Sequence, residues 1–185
     1  KRNEDAIYVC FSSGLSGTYG TSLMVRDLIN DKYPNWSIDI VDSRSASVGF
    51  GLLVYKAARM AKQGASRQDI LKMLDFYVAH IEHIFTVDDL EYLFRGGRVS
   101  RAKALIGGLL NIKPILDMPS DGTLRPIENV RGRNKVLGRM VAIMEERGGS
   151  ADLANQTIGI NHGDDLEGAM KLREMIEQRY GCTDF

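Results

Sequence analysis

A chain of 185 residues with 44% apolar and 26% charged content has the make-up of a folded protein with a real hydrophobic core, which excludes a disordered chain. Its 24 Lys and Arg balance 24 Asp and Glu, so no overall field draws it to nucleic acid or to an anionic membrane. No apolar run is long enough for a membrane span, Lys1–Asp5 does not lead into a signal-peptide core, and the two distant cysteines, Cys10 and Cys182, fit a reducing, cytoplasmic setting better than a disulfide.

The apolar run Ile7–Phe11 predicts a buried strand, and Met24, Val25, Leu28 and Ile29 repeat at helical spacing as far as about Asp31. Ser37–Asp42 alternates and then turns apolar, which completes a βαβ unit with a parallel pair. Leu53, Ala57, Met60 and Ala61 mark a helix that Gly64 ends, and Ser66–Asp69 reads as a capping box for a helix carrying Ile70, Leu74, Tyr77 and Val78. A strand is expected over His83–Val87, then a short helix over Asp88–Phe94 closed by Arg95-Gly96-Gly97-Arg98. Ser100 reads as the cap of a helix with Ala104, Leu105, Ile106, Leu109 and Leu110.

Lys113–Met118 and Thr123–Val130, separated by Pro119-Ser120-Asp121-Gly122, predict a β-hairpin. A helix over Arg133–Arg147 stops at Gly148-Gly149, and Thr157–Asn161 reads as a strand. Asp164 or Asp165 caps a last helix with Ala169, Leu172, Ile176 and Tyr180 inward, and Cys182–Phe185 looks like the opening of another strand. The pattern changes near residue 85. The expected fold class is therefore α/β in two lobes: residues 1–85 with the parallel βαβ unit, and residues 86–185 with the antiparallel hairpin at 113–130.

Chemistry is expected first at Ser12-Ser13-Gly14-Leu15-Ser16-Gly17-Thr18-Tyr19, between the first strand and the first helix. Glycines turn the backbone sharply with N–H groups exposed, the helix's first turn adds free N–H groups, and four hydroxyls add donors, so the turn suits a phosphate or a carboxylate. Gly14, Gly17 and Gly20 are evenly spaced and lack the dinucleotide fingerprint, so Asp42 at the end of the second strand reads as a polar strand stop rather than a ribose ligand. Ser13 lacks the glycine pattern of a nucleophile elbow, and His80, His83 and His162 supply no metal-binding or triad spacing. No metal and no cofactor is expected. Arg95-Gly96-Gly97-Arg98 offers planar guanidinium donors to an anion, and it also makes an ordinary helix stop. Arg131 and Arg133 sit where positive charge opposes the helix dipole, which suits a basic partner surface.

The serine-glycine turn, Val41-Asp42-Ser43, Gly96-Gly97-Arg98-Val99-Ser100 and Leu109-Leu110-Asn111-Ile112-Lys113-Pro114-Ile115-Leu116 together resemble the DegV family of bacterial fatty-acid-binding proteins, and Asn161-His162-Gly163-Asp164 matches another of its turns. The resemblance implies two α/β lobes around one long-chain fatty acid, its carboxylate held at Ser12, Ser13 and Gly14 with Arg98 near the head group. It implies an apolar tunnel, for which Phe50, Leu53, Leu105, Ile106 and Leu109 are candidates, and it puts Arg131 on the surface used by an ATP-dependent fatty acid kinase. The chain is then a lipid-binding carrier and not an enzyme, with no nucleic-acid partner and with transient membrane contact for lipid exchange. Family members also carry an N-terminal threonine-serine motif and a late His-Thr-Gly-Pro-Gly-like segment, which this sequence lacks, so a pocket open on one side and weaker lipid retention are expected. The alternative from another class is an enzyme acting on a small phosphorylated or carboxylated substrate at the same turn.

Overall fold

The computed structural model describes residues 6–100, 111–148 and 152–185. The expected helix that Ser100 would cap, residues 101–110 with the tunnel candidates Leu105, Ile106 and Leu109, lies outside them. Two compact units emerge, Lys1–Glu82 with Met118–Thr123, and His83–Asp117 with Leu124–Phe185. Set against the expected division at 85/86, the Pro119–Gly122 turn of the hairpin belongs with the first unit.

In the first unit, β1 (Ala6–Cys10) and β2 (Ile38–Asp42) pair in parallel with Ala6 opposite Ile38 and Cys10 opposite Asp42. The connection between them carries α1 (Thr18–Lys32). Side chains alternate across a strand, so Ile7, Val9 and Val41 turn toward α2 (Ser47–Lys62) and α3 (Arg67–His80), where Leu53, Ile70 and Leu74 close a core. Ser66 caps α3 by accepting the Asp69 N–H at 3.2 Å, as its sequence predicts. The opposite face of the sheet is different. It meets α1, a 15-residue helix that buries no residue, and Tyr8 on that face is 45% exposed.

In the second unit, β3 (Ile84–Thr86), β4 (Ile112–Asp117) and β5 (Arg125–Arg131) form an antiparallel sheet in that order, with a register shift between Ile115 and Leu116. The short α4 (Glu91–Arg95) lies between β3 and β4 in sequence. Ile115 from the sheet packs with Val136, Leu137, Met140 and Ile143 of α5 (Arg133–Gly148). Beyond it, α6 (Leu166–Tyr180) brings Ile176 against Val141 and Cys182. Asp165 caps α6 by accepting the Gly168 N–H at 3.1 Å, and Gly181, at φ 71°, ends it.

Two expected strands, Thr157–Asn161 and Cys182–Phe185, do not form. Thr157–Asn161 joins no sheet among the described residues: Ile158 donates one backbone bond to Asp184 at 2.9 Å, while Ile158 and Ile160 pack inward. The alternating apolar residues are satisfied by burial alone, and a strand needs a ladder as well.

Candidate functional site

The serine turn leaves β1 at its C-terminal end, where Ser12 is fully buried. The Ser12 carbonyl accepts the Leu15 and Ser16 N–H groups at 3.1 and 3.0 Å, which folds the turn tightly, and the Ser12 N–H donates to the Ser45 carbonyl at 3.2 Å. The Ser12 hydroxyl donates to the Gly122 carbonyl at 2.7 Å and accepts the Gly14 N–H at 3.2 Å. The 118–123 turn lies so close that a Cβ on Gly14 would stand 2.6 Å from the Gly122 carbonyl carbon. Gly122 itself has φ 73°, a conformation side chains oppose, and a Cβ there would strike the Ser12 hydroxyl. Arg44 adds a bond from its guanidinium to the Ser120 carbonyl at 3.0 Å.

Ser13 is held differently. Its N–H donates to Asp42 Oδ1 at 3.0 Å and its hydroxyl to Asp42 Oδ2 at 2.5 Å. The Arg44 N–H reaches the same Oδ1 at 3.2 Å, and Arg44 Nε stands 3.9 Å from Oδ2. Arg44 adopts φ 46° to make this turn after β2. The predicted anion at the serine turn is thus matched by a carboxylate of the chain itself. The sequence reads Asp42 as a strand stop; its place at the C-terminal end of a parallel strand, the edge where sites of α/β sheets gather, is the signal for a larger role.

Along the open face of the sheet runs a groove of about 700 Å³. Tyr8, Val25, Ile29, Ile38 and Ile40 make its walls apolar, and Arg26 also borders it. Ser16, Gly17, Thr18, Thr21 and Ser22 form its polar part, so the far half of the serine turn is also the rim of the groove. There Ser16 and Thr18 share a hydroxyl–hydroxyl bond of 2.9 Å, while Thr21 and Ser22 donate back to the Gly17 and Thr18 carbonyls at 3.2 and 2.7 Å. Gly17 is the N-cap of α1, which therefore has no side-chain cap.

Phe50 and Leu53 lie on α2, on the other face. Leu53 is 1% exposed in the core, and Phe50 meets Phe11 edge-on with ring centroids 6.2 Å apart. In the second unit, Gly96 and Gly97 end α4, Arg98 N–H donating to the Leu93 carbonyl at 2.9 Å; the Arg98 guanidinium donates to the Gly96 carbonyl. Arg95 pairs with Glu91 at 2.8 Å, Arg133 with Asp165, and Arg131 stands exposed at the end of β5. His162 Nδ1 accepts the Asp165 N–H at 3.1 Å, a local role at the start of α6. Among the described residues no group of three or more His, Cys, Asp or Glu could hold a metal, and no helix is long and apolar enough to cross a membrane.

A mixed α/β chain with a parallel pair, an antiparallel sheet and a serine-rich βα turn defines a recognisable class, and residues 1–185 match the family described as "Uncharacterised protein, DegV family". The chain belongs to the DegV family. It is 42% identical over 184 residues to a DegV domain-containing protein of Clostridium perfringens (strain 13 / Type A), matching 100% of this chain and 62% of that protein's length. Its structure is similar to that of a DegV family protein from Eubacterium eligens loaded with heptadecanoic acid, with TM-score 0.87, 27% identity, and 98% of this chain and 65% of that one covered. The fold is also similar to that of the fatty acid kinase B3 protein of Streptococcus pneumoniae loaded with linoleic acid, with TM-score 0.87, 23% identity, and coverage of 96% and 62%.

Proposed function

We propose that the protein carries one long-chain fatty acid, its carboxylate at the Ser12-Ser13-Gly14 turn and its tail along the apolar groove, and presents the head group to an ATP-dependent kinase that makes the acyl phosphate. The groove carries the reading: about 700 Å³ of apolar-walled space is bordered at its polar part by the serine turn. Ligand sites of some 300–1,000 Å³ are typical for molecules of this size. Each methylene taken from water contributes about 0.8 kcal/mol, so a long tail dominates the affinity and the turn fixes its direction. The heptadecanoic acid held by the Eubacterium eligens relative supports the ligand class. Kinase presentation rests on the family resemblance, as do a head-group contact for Arg98 and a place for Arg131 on the kinase surface. On this reading the carrier performs no chemistry, works in the cytoplasm and exchanges lipid through transient membrane contact.

The test is mass spectrometry of an organic extract of the purified full-length protein, beside native mass spectrometry of the intact chain. Stoichiometric long-chain fatty acid in wild type, and its loss in Val25→Trp, which fills the groove, are the expected results. An empty protein that turns over a small phosphorylated or carboxylated substrate at a Ser13-dependent rate would replace this reading with the enzymatic one.

A further inference from the structure

We propose that Asp42 is an internal carboxylate that occupies the serine turn and sets the affinity of that turn for an incoming carboxylate, which has to take the Ser13 hydroxyl proton from it. The inference rests on the fatty-acid reading above and adds a determinant of head-group affinity to it.

The donors around Asp42 are those a carboxylate ligand would seek. Oδ1 accepts two backbone N–H groups, from Ser13 at 3.0 Å and Arg44 at 3.2 Å, and Oδ2 accepts the Ser13 hydroxyl at 2.5 Å with Arg44 Nε at 3.9 Å. The Asp42 side chain is 13% exposed while Ser13 is exposed, so the carboxylate is largely covered and the Ser13 hydroxyl stays open to an incoming ligand. A serine hydroxyl has a single proton to donate. While Asp42 holds it, Ser13 presents only lone pairs to anything else, and a second carboxylate meets both a missing donor and a like charge. Binding therefore exchanges one carboxylate for another at Ser13, while the two backbone N–H bonds and Arg44 keep Asp42 in place.

The two oxygens divide this work in a way that substitution can read. In Asp42→Asn the amide oxygen can stay at Oδ1 and keep both backbone donors. The amide nitrogen, at the Oδ2 position, then donates to Ser13 and leaves the Ser13 proton free for a ligand. The negative charge is removed in the same step. A purely structural aspartate predicts weaker binding on substitution; an internal competitor predicts tighter binding.

The experiment titrates the full-length protein, delipidated, with heptadecanoate and with the matching 17-carbon alcohol, for wild type, Asp42→Asn, Ser13→Ala and the double variant, with melting temperatures recorded in parallel. Asp42→Asn is expected to bind heptadecanoate about tenfold tighter and the alcohol unchanged, the size of one charge-assisted bond gained without an opposing charge. Ser13→Ala is expected to cost more affinity in the Asp42→Asn background than in wild type. Unchanged or weaker heptadecanoate binding by a folded Asp42→Asn protein, with wild type binding normally, overturns the proposal and leaves the fatty-acid reading standing. Equal tightening for acid and alcohol also overturns it, because the gain would then lie outside the head group. No binding by wild type or any variant removes the fatty-acid reading and this proposal together.

Discussion

The Ser12 hydroxyl donates to the Gly122 carbonyl at 2.7 Å, joining residues 110 apart in sequence. That bond, the close backing of Gly14 on the same carbonyl and the Arg44 bond to Ser120 bind the 118–123 turn to the start of the serine turn. The hydroxyl that opens the proposed head-group site is thereby spent on tertiary structure.

Gly122→Ala is accordingly expected to destabilise the protein by about 2–3 kcal/mol, because alanine opposes positive φ and its methyl meets the Ser12 hydroxyl. Urea unfolding checks it; an unchanged midpoint would mean the turn backs away without loss.

Ser13→Ala removes a donor that serves Asp42 before binding and the fatty acid after it. The two losses partly cancel, so in wild-type background the affinity for heptadecanoate is expected to fall by about 1 kcal/mol, the net value of one hydrogen bond, with the fold intact. Direct titration measures this, and equal affinity would take Ser13 out of the site.

Asp117 is 1% exposed. Burial opposes its ionisation, but the guanidiniums of Arg125, at 3.0 and 2.7 Å, and Arg147, at 2.6 Å, outweigh burial and hold its carboxyl below the ordinary carboxylate range. A lowered folded pKa gives stability that is complete above the unfolded value of about 4 and is lost as pH falls through the folded value. Asp117→Asn is expected to cost about 2 kcal/mol at neutral pH, discounted for the half-exposed Arg125, and progressively less in acid. Melting temperatures of both proteins from pH 7 down to pH 2 test it, and parallel curves would refute it.

Cys182 is fully buried, with its thiol donating to the Leu153 carbonyl at 2.7 Å, and burial pushes its pKa up. The thiolate is the reactive form, so alkylation at pH 8 is expected only on unfolding. Rapid labelling of the native protein would show that the C-terminal segment opens readily.

Much of the fold was legible because it is local. The strand–turn–helix order around Ser12–Thr18, the Ser66 and Asp165 caps and the glycine stop at Gly96-Gly97 are written in residues a few positions apart, and each occurs as its spacing implies. Thr157–Asn161 misled because alternation reports burial on one side, whereas a strand also depends on a partner ladder that short-range pattern does not encode.

The site divides along the same line. By itself the sequence determined that a donor-rich turn stands at the end of a strand and that the motif set belongs to the DegV family; the strand, expected to be buried, is covered on one face only. Only tertiary structure decided which donors are already taken, Ser12 by Gly122 and Ser13 by Asp42, and that Leu53 packs in the core. Backbone geometry and burial periodicity are properties of neighbouring residues, while a hydroxyl's single proton goes to whichever acceptor the folded chain brings within reach.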